Sequence, residues 1–434
     1  MKPAVCLLPL FLLVAACGTE NDPSSPASET TEKQYGEVVR SSELRNLSPD
    51  VTATDLGILV AGNRNFAVDL YHELILSEGG NLFFSPQSVS QALAMTFAGA
   101  RLDTEAQMAS TLSFDLDQDN LHPTFNALDL ALQDRGRGAQ GADGEGFRLH
   151  TANSIWGQTG YGFVEAFLDT LAINYDAGLR LLDFVLEPDP SRLIINEWVS
   201  DQTEGKIPNL LEEGTVGSDT RLVLTNAIYF NAAWDSVFPE ELSRTGTFDL
   251  LDGNSVNAPM MTNVESYPYA TGDGYVAVEL PYDGEELSML VIIPDLGRFD
   301  EFEALMDSDV IATIEADMAL ESLALTLPKW RFETKASLRS QLQSLGMTDA
   351  FERNLADFSG INGGTEPLWI SDVIHQACIG VNEYGTEAAA ATAVILSGGG
   401  GPVPVAADRP FIFAIRDNPT GALLFFGRVL NPLD

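Results

Sequence analysis

Positive charge is scarce in this chain: 23 lysines and arginines stand against 63 aspartates and glutamates in 434 residues, for a formal net charge of −40. The deficit opposes binding to nucleic acid or to anionic lipid headgroups, which are held by clustered cations. It describes an acidic, solvated exterior, with a calcium-attracting surface as the alternative. Beyond the extreme N-terminus no stretch approaches the roughly 20 uninterrupted apolar residues of a membrane span. Cysteine is almost missing, with Cys6, Cys17 and Cys378 the whole complement. There is no internal repeat, and no Pro/Ser-rich linker follows residue 56. The length admits one large domain or two or three ordinary ones, and the missing linker favours one. Apolar residues make up 45% of the chain, enough for a substantial core.

The N-terminus reads as a processing signal. Met1-Lys2 precedes an apolar run, Leu7 to Leu13, broken only by Pro9, and then Val14-Ala15-Ala16-Cys17, which resembles the bacterial lipobox. On this reading residues 1–16 are a signal peptide and Cys17 becomes the acylated first residue, since several acyl chains anchor stably where one does not. Gly18 after the cysteine is similar to outer-membrane sorting in proteobacteria. The expected location is therefore across the inner membrane, lipid-anchored in the cell envelope and facing the periplasm or the exterior; a plain secretory signal is the alternative. With Cys6 removed and Cys17 lipidated, Cys378 has no partner for an intramolecular disulfide. Residues 17–55, rich in Ser, Thr, Pro, Glu and Asn, are expected to form a disordered tether, and 56–434 a single monomeric domain.

Phe66, Leu70 and Leu74 predict a helix over about 63–76. Ser85-Pro86 is a helix start, Thr104-Glu-Ala-Gln107 matches a capping box, and Asp189-Pro190 opens a helix ending near Gly205. The second half reads as strands: 275–281, 287–294, 322–330, 368–382, 411–416 and 423–429, the last two joined by the turn Asp417-Asn-Pro-Thr-Gly421. Helices followed by strands without βαβ alternation point to an α+β fold.

Residues 382–394, Asn-Glu-Tyr-Gly-Thr-Glu-Ala-Ala-Ala-Ala-Thr-Ala-Val, form a tract of small side chains. Propensity suits a helix or plain linker, yet Gly385 precedes the tract and a Gly/Pro loop follows. For such a segment to enter a formed sheet, alternate side chains must face the buried side: Thr386, Ala388, Ala390 and Thr392. All are small, whereas a charge there costs several kcal/mol and a bulky group roughly 1–3 kcal/mol. Glu387, of opposite parity, stays in solvent.

Further blocks accompany the tract in order: Asn81-Leu-Phe-Phe-Ser-Pro-Gln-Ser88, Gly99-Ala100, Thr203-Glu-Gly-Lys-Ile207, Thr225-Asn-Ala-Ile-Tyr-Phe230 with Trp234, Leu327-Pro-Lys-Trp330, Leu345-Gly-Met-Thr-Asp-Ala-Phe351, Asp357-Phe-Ser-Gly360, Arg409-Pro-Phe411 and Phe425-Phe-Gly427. From about residue 60 to 432 the chain thereby resembles the serpins, protease inhibitors whose reactive-centre loop inserts into their own sheet. The resemblance implies the serpin fold, with large mixed and antiparallel sheets and an exposed loop over about 386–408. It implies a suicide-type inhibitor that traps a serine, or a cysteine, protease as an acyl-enzyme, with no enzymatic activity of its own. The alternative is a non-inhibitory carrier, and the small tract speaks against it. By resemblance Gly385, Thr386, Glu387, Ala388, Ala389, Ala390, Ala391 and Thr392 are the hinge. Ser85, Ser88, Asn226 and His375 form a shutter beneath the sheet, and Trp234 marks the breach where insertion begins. Loop length places the scissile bond at Gly399-Gly400, with Leu396 or Ser397 as alternatives. No lysine or arginine lies between Thr386 and Asp408, which disfavours a trypsin-like partner; Val394-Ile395-Leu396 suits an elastase-like or subtilisin-like one. No cofactor is expected, and the charge disfavours a polyanion.

Other readings are weaker. Ser85 or Ser88 with His375 suggests a hydrolase, but there is no Gly-x-Ser-x-Gly elbow and no indicated acid. His72-Glu73 lacks the second histidine of a zinc site, position 76 being leucine. Asp115, Asp117 and Asp119 have calcium-loop spacing without its glycine and glutamate. The Gly398–Gly401 run lacks the Lys-Ser/Thr of a phosphate loop, and Cys378 reads as an inert buried thiol.

Overall fold

Two strands that side-chain periodicity does not mark, Arg148–Gln158 and Leu222–Ala233, form the middle of the molecule. The second is LVLTNAIYFNAA, buried along nearly its whole length, and a strand covered on both faces loses the alternation by which strands are recognised. The helix-rich first half predicted from sequence thus also supplies the centre of a sheet. The computed structural model describes residues 35–144, 146–386 and 401–434.

The central sheet has seven strands in the order Glu37–Val39, Leu179–Leu182, Arg148–Gln158, Leu222–Ala233, Gly385–Thr386, Asp372–Asn382, Trp330–Ser337. A nine-stranded sheet carries Leu82–Phe84 and most of the strands after residue 244, with Val403–Ala406 at one end, parallel to Ala319–Pro328. Strands 275–281, 287–294 and 423–429 lie where the sequence puts them. Residues 322–330 do not form one strand. Ala319–Pro328 belongs to the second sheet and Trp330–Ser337 to the central one, the chain changing sheets at Lys329. The run over 368–382 pairs only from Asp372. Helices combined with two large sheets make this an α+β fold.

Helix Pro86–Phe97 starts as expected, with the Ser85 hydroxyl accepting from the Ser88 N–H and Pro86 in the first turn. Helix Ala53–Ser77 begins ahead of residue 63, because Thr52 caps it by accepting from the Asp55 N–H. The capping box at Thr104 is not formed. Helix Leu102–Thr111 already includes Thr104, whose hydroxyl accepts from the Asp357 N–H, while Gln107 accepts from the N–H groups of Thr348 and Asp349. Tertiary partners take both side chains. The tether read over 17–55 is packed from Tyr35 onward: Glu37–Val39 pairs with Leu179–Leu181, and Arg45 bonds Asn126 and Asp129. Few large apolar residues are needed when main-chain pairing and one arginine fasten the segment.

Two apolar clusters flank the central sheet. The larger fills the space between the sheets; the smaller packs Ile195, Trp198 and Val199 of helix Pro188–Gln202 onto Trp156, Val223 and Ala227.

Candidate functional site

The central pair of strands is closed at one end and parted at the other. Leu222–Ala233 and Asp372–Asn382 run parallel and hydrogen-bond directly from Val223↔Asp372 to Ile228↔Ala377. Beyond that they diverge, and Gly385 and Thr386 sit between them: Thr386 faces Val381 on one side and Ala232 on the other, antiparallel to both. The chain reaches this seat by a tight return through Glu383 and Tyr384. Gly385 makes the return possible, since its φ is +151° and a Cβ there would stand 2.1 Å from the Ala232 carbonyl oxygen.

Thr386 is 1% exposed and its hydroxyl lies 2.8 Å from that of Tyr282. Tyr282 stacks on Trp234 at 4.6 Å with rings 13° from parallel. The Trp234 indole N–H donates to the Asn382 carbonyl at 3.0 Å, and its main-chain N–H to the Tyr384 carbonyl at 2.8 Å. Trp234, marked from sequence, therefore touches the return that seats Gly385 and Thr386. Glu383 and Lys329 were not marked. Glu383 is buried and its carboxylate accepts from the Lys329 ammonium at 2.8 Å and the Ser243 hydroxyl at 2.6 Å. Burial opposes its charge, but these bonds outweigh burial and hold the carboxyl below its usual range.

Ser85, Ser88, Asn226 and His375 are brought together where the central strands are closed, and Asn226 and His375 are register partners. The Ser85 main-chain N–H donates to His375 Nε2 at 3.1 Å, so the ring proton is on Nδ1 and is donated to Asn226 Oδ1 at 2.5 Å. Asn226 Nδ2 donates to Ser88 Oγ and to Asn153 Oδ1, both at 2.5 Å, and Ser85 Oγ donates to the Leu424 carbonyl at 2.6 Å. Asn153, on strand Arg148–Gln158, is a member that the sequence reading missed. Burial lowers the His375 pKa to about 3, consistent with a neutral ring. This closed network carries no nucleophile–base pair: His375 meets the main chain of Ser85, and both serine hydroxyls are committed elsewhere.

Glu387, Ala388, Ala389, Ala390, Ala391, Thr392, Leu396, Ser397, Gly399 and Gly400 lie outside the described residues, as does Cys17. His72 Nε2 bonds the Met306 carbonyl at 2.9 Å. Asp117 caps helix Gln118–Gln133 through the Asn120 N–H rather than opening a calcium loop. No group of three or more potential metal ligands occurs among the described residues. Cys378 is half-buried on strand Asp372–Asn382, a register partner of Glu333, and not fully enclosed as expected.

Comparison with known proteins follows the same lines. The family model for serpins (serine protease inhibitors) matches residues 61–432. An uncharacterized serpin-like protein of Thermococcus kodakarensis is 40% identical over 375 residues, covering 85% of each chain. A leukocyte elastase inhibitor of Equus caballus is 38% identical over 398 residues, covering 86% of this chain and 99% of that one. The solved structure of a tumour suppressing serpin superposes with a TM-score of 0.77 at 25% identity, covering 87% of this chain and all of the other.

Proposed function

Because this chain belongs to the serpin family, we propose that it is a suicide-type inhibitor of serine proteases, and that the strand seat at Gly385–Thr386 is where its cleaved loop begins to enter the central sheet. The observation that carries this reading is the seat itself: a strand already lies between Ala232 and Val381, with a small-residue tract continuing from it and a closed but separable ladder ahead of it.

The target's serine attacks the bait carbonyl, forming an acyl ester and releasing the amine of the downstream peptide. The freed segment continues the antiparallel register set by Gly385↔Ala233 and Thr386↔Ala232. To pass Ile228↔Ala377 it must replace the direct ladder between the central strands, and with it the His375–Asn226 rung. Each direct rung lost is replaced by main-chain bonds on both sides of the new strand, so the hydrogen-bond count rises, at roughly 0.5–1.5 kcal/mol net per bond. Fourteen inserted residues span roughly 45 Å at about 3.3 Å each, enough to carry an esterified protease along the sheet. Glu383–Lys329, Trp234 and Tyr282 hold the fixed end of the hinge while this happens.

An elastase-like or subtilisin-like target is supported by the cation-free stretch from Thr386 to Asp408 and by relatives that are named as leukocyte elastase inhibitors. Mixing the purified protein with elastase or subtilisin is expected to give a covalent adduct that survives boiling in detergent, and a trypsin-like protease much less of it. Cleavage without adduct across a panel of serine proteases would contradict inhibition and favour a carrier. The proposed envelope location rests on the Cys17 lipobox, so Cys17→Ser should move the protein out of the membrane fraction; unchanged fractionation refutes that part alone.

A further inference from the structure

The two halves of the central sheet are held differently. Strands Asp372–Asn382 and Trp330–Ser337 are fixed to the second sheet: the chain enters them from it at Lys329, and His375 and Thr334 accept from the main-chain N–H groups of Ser85 and Phe83. The other half ends in the edge strand Glu37–Val39, and its strand Leu179–Leu182 is joined to helix Glu165–Tyr175 by Asp176, Ala177 and Gly178 alone. That helix is held in turn by helix Gln118–Gln133, where His122 Nδ1 lies 2.7 Å from the Tyr175 hydroxyl. Phe125, Phe114 and Phe97 connect Gln118–Gln133 to helix Pro86–Phe97, with ring centroids 5.7 and 5.3 Å apart. One more strand widens the sheet by roughly 4.8 Å, so the half that ends in an edge has to shift past these helices, and the joint at residues 176–178 has to give.

Residues 36–46 run alongside that joint and are bonded on both sides of it. On the strand side Glu37, Val38 and Val39 pair with Leu181, Arg180 and Leu179. On the helix side the Ser41 hydroxyl donates to Asp169 at 2.5 Å, the Asn46 N–H donates to the Ile173 carbonyl at 2.9 Å, and Arg45 reaches across to Asn126 at 2.8 Å and Asp129 at 2.5 Å. Between them Arg40 pairs with Asp176 in the joint itself. The fit at the joint is close: a Cβ on Gly178 would stand 2.9 Å from the Val39 carbonyl oxygen.

We propose that residues 36–46 are a splint across this joint, which holds the edge half of the central sheet against helices Glu165–Tyr175 and Gln118–Gln133 and so slows the entry of a new strand. This rests on the insertion reading given above. The helix-side bonds stabilise the closed sheet only, because widening carries Glu37–Val39 away from Arg45 and Ser41. Tyr35 lies outside the joint: its hydroxyl donates to Asp201 at the end of helix Pro188–Gln202 and its carbonyl accepts from Arg180 of Leu179–Leu182 at 3.3 Å, so it does not tie the sheet to the two helices behind it.

The test is the rate at which the intact protein takes up a synthetic peptide of residues 386–399, followed by native electrophoresis, beside melting curves of the intact and the bait-cleaved forms. Arg45→Ala and Gly178→Ala are each expected to speed uptake by about fivefold or more, as for loss of a charge-assisted bond that only the closed sheet makes. Arg45→Lys, which keeps a cation for Asp129, should lie between Arg45→Ala and the native protein, and Tyr35→Phe should leave the rate unchanged. The midpoint of the intact form should fall in Arg45→Ala while that of the cleaved form stays, whereas a merely structural role lowers both alike. Melting curves also identify any variant that fails to fold. Uptake by the native protein at a rate that Arg45→Ala and Gly178→Ala leave unchanged, or an equal fall in both midpoints, overturns the splint and leaves insertion standing. No uptake by any form, with a cleaved protein that melts no higher than the intact one, refutes insertion itself and the splint with it.

Discussion

Thr386 is where the proposed insertion meets a single side chain. Enclosed at 1% exposure beside Tyr282 and between two strands, it tolerates only a small group that can share that hydroxyl contact. Thr386→Arg would bury a cation without a carboxylate in the seat, at a cost of several kcal/mol. The expected result is an inhibitor turned substrate: cleavage of the bait persists while adduct yield against the same protease falls to about a tenth or less. Undiminished adduct would contradict the seat. The parity that buries Thr386 was legible in the sequence, because alternation needs no tertiary information. Its partner was not, since Tyr282 lies 104 positions away. The Glu383–Lys329 pair, 54 apart, was hidden for the same reason: each residue alone looks like any surface charge.

At the scale of elements, the decisive feature is the ladder between Leu222–Ala233 and Asp372–Asn382, which must part for insertion to proceed. His375 stands in that ladder as a neutral ring. Its folded pKa, about 3, lies below the ordinary value of about 6.5, so below pH 6.5 the unfolded chain binds the proton that the folded chain refuses. Stability from this group is therefore complete above about pH 6.5 and is lost progressively as pH falls toward 3, by up to about 1.4 kcal/mol per pH unit. His122, at about 4, acts in the same direction. Thermal midpoints between pH 7 and 4.5 should fall less steeply for His375→Gln than for the native protein. An equal slope would mean that His375 is not the buried neutral group described. Ser85, Ser88, Asn226 and His375 were legible as a set through the family resemblance, whereas Asn153 was not, because nothing in its local pattern separates it from other polar residues of its strand. The strand Leu222–Ala233 itself was missed because burial on both faces erased its alternation.

For the whole molecule, the order of the motif blocks carried the fold even where boundaries slipped. Blocks such as Asn81–Ser88 and Thr225–Phe230 encode contacts that only this topology brings together, and Ser88 bonding to Asn226 is one of them. Packing of residues 35–55 was not legible, because composition reports hydrophobic burial and this segment is fastened by a short ladder and by Arg45. On the proposed mechanism the intact chain stops short of its most stable arrangement, with a sheet that can take one more strand. If fourteen residues join the ladder at roughly 1 kcal/mol each, the gain is comparable with the roughly 5–15 kcal/mol by which ordinary domains are stable.

Calorimetric melting of the intact protein and of the same protein cleaved once in the bait segment tests this most directly. The cleaved form is expected to melt more than about 10 °C above the intact form, given the few degrees that each kcal/mol commonly contributes. A cleaved form that melts at or below the intact midpoint would contradict insertion, and with it the inhibitory function.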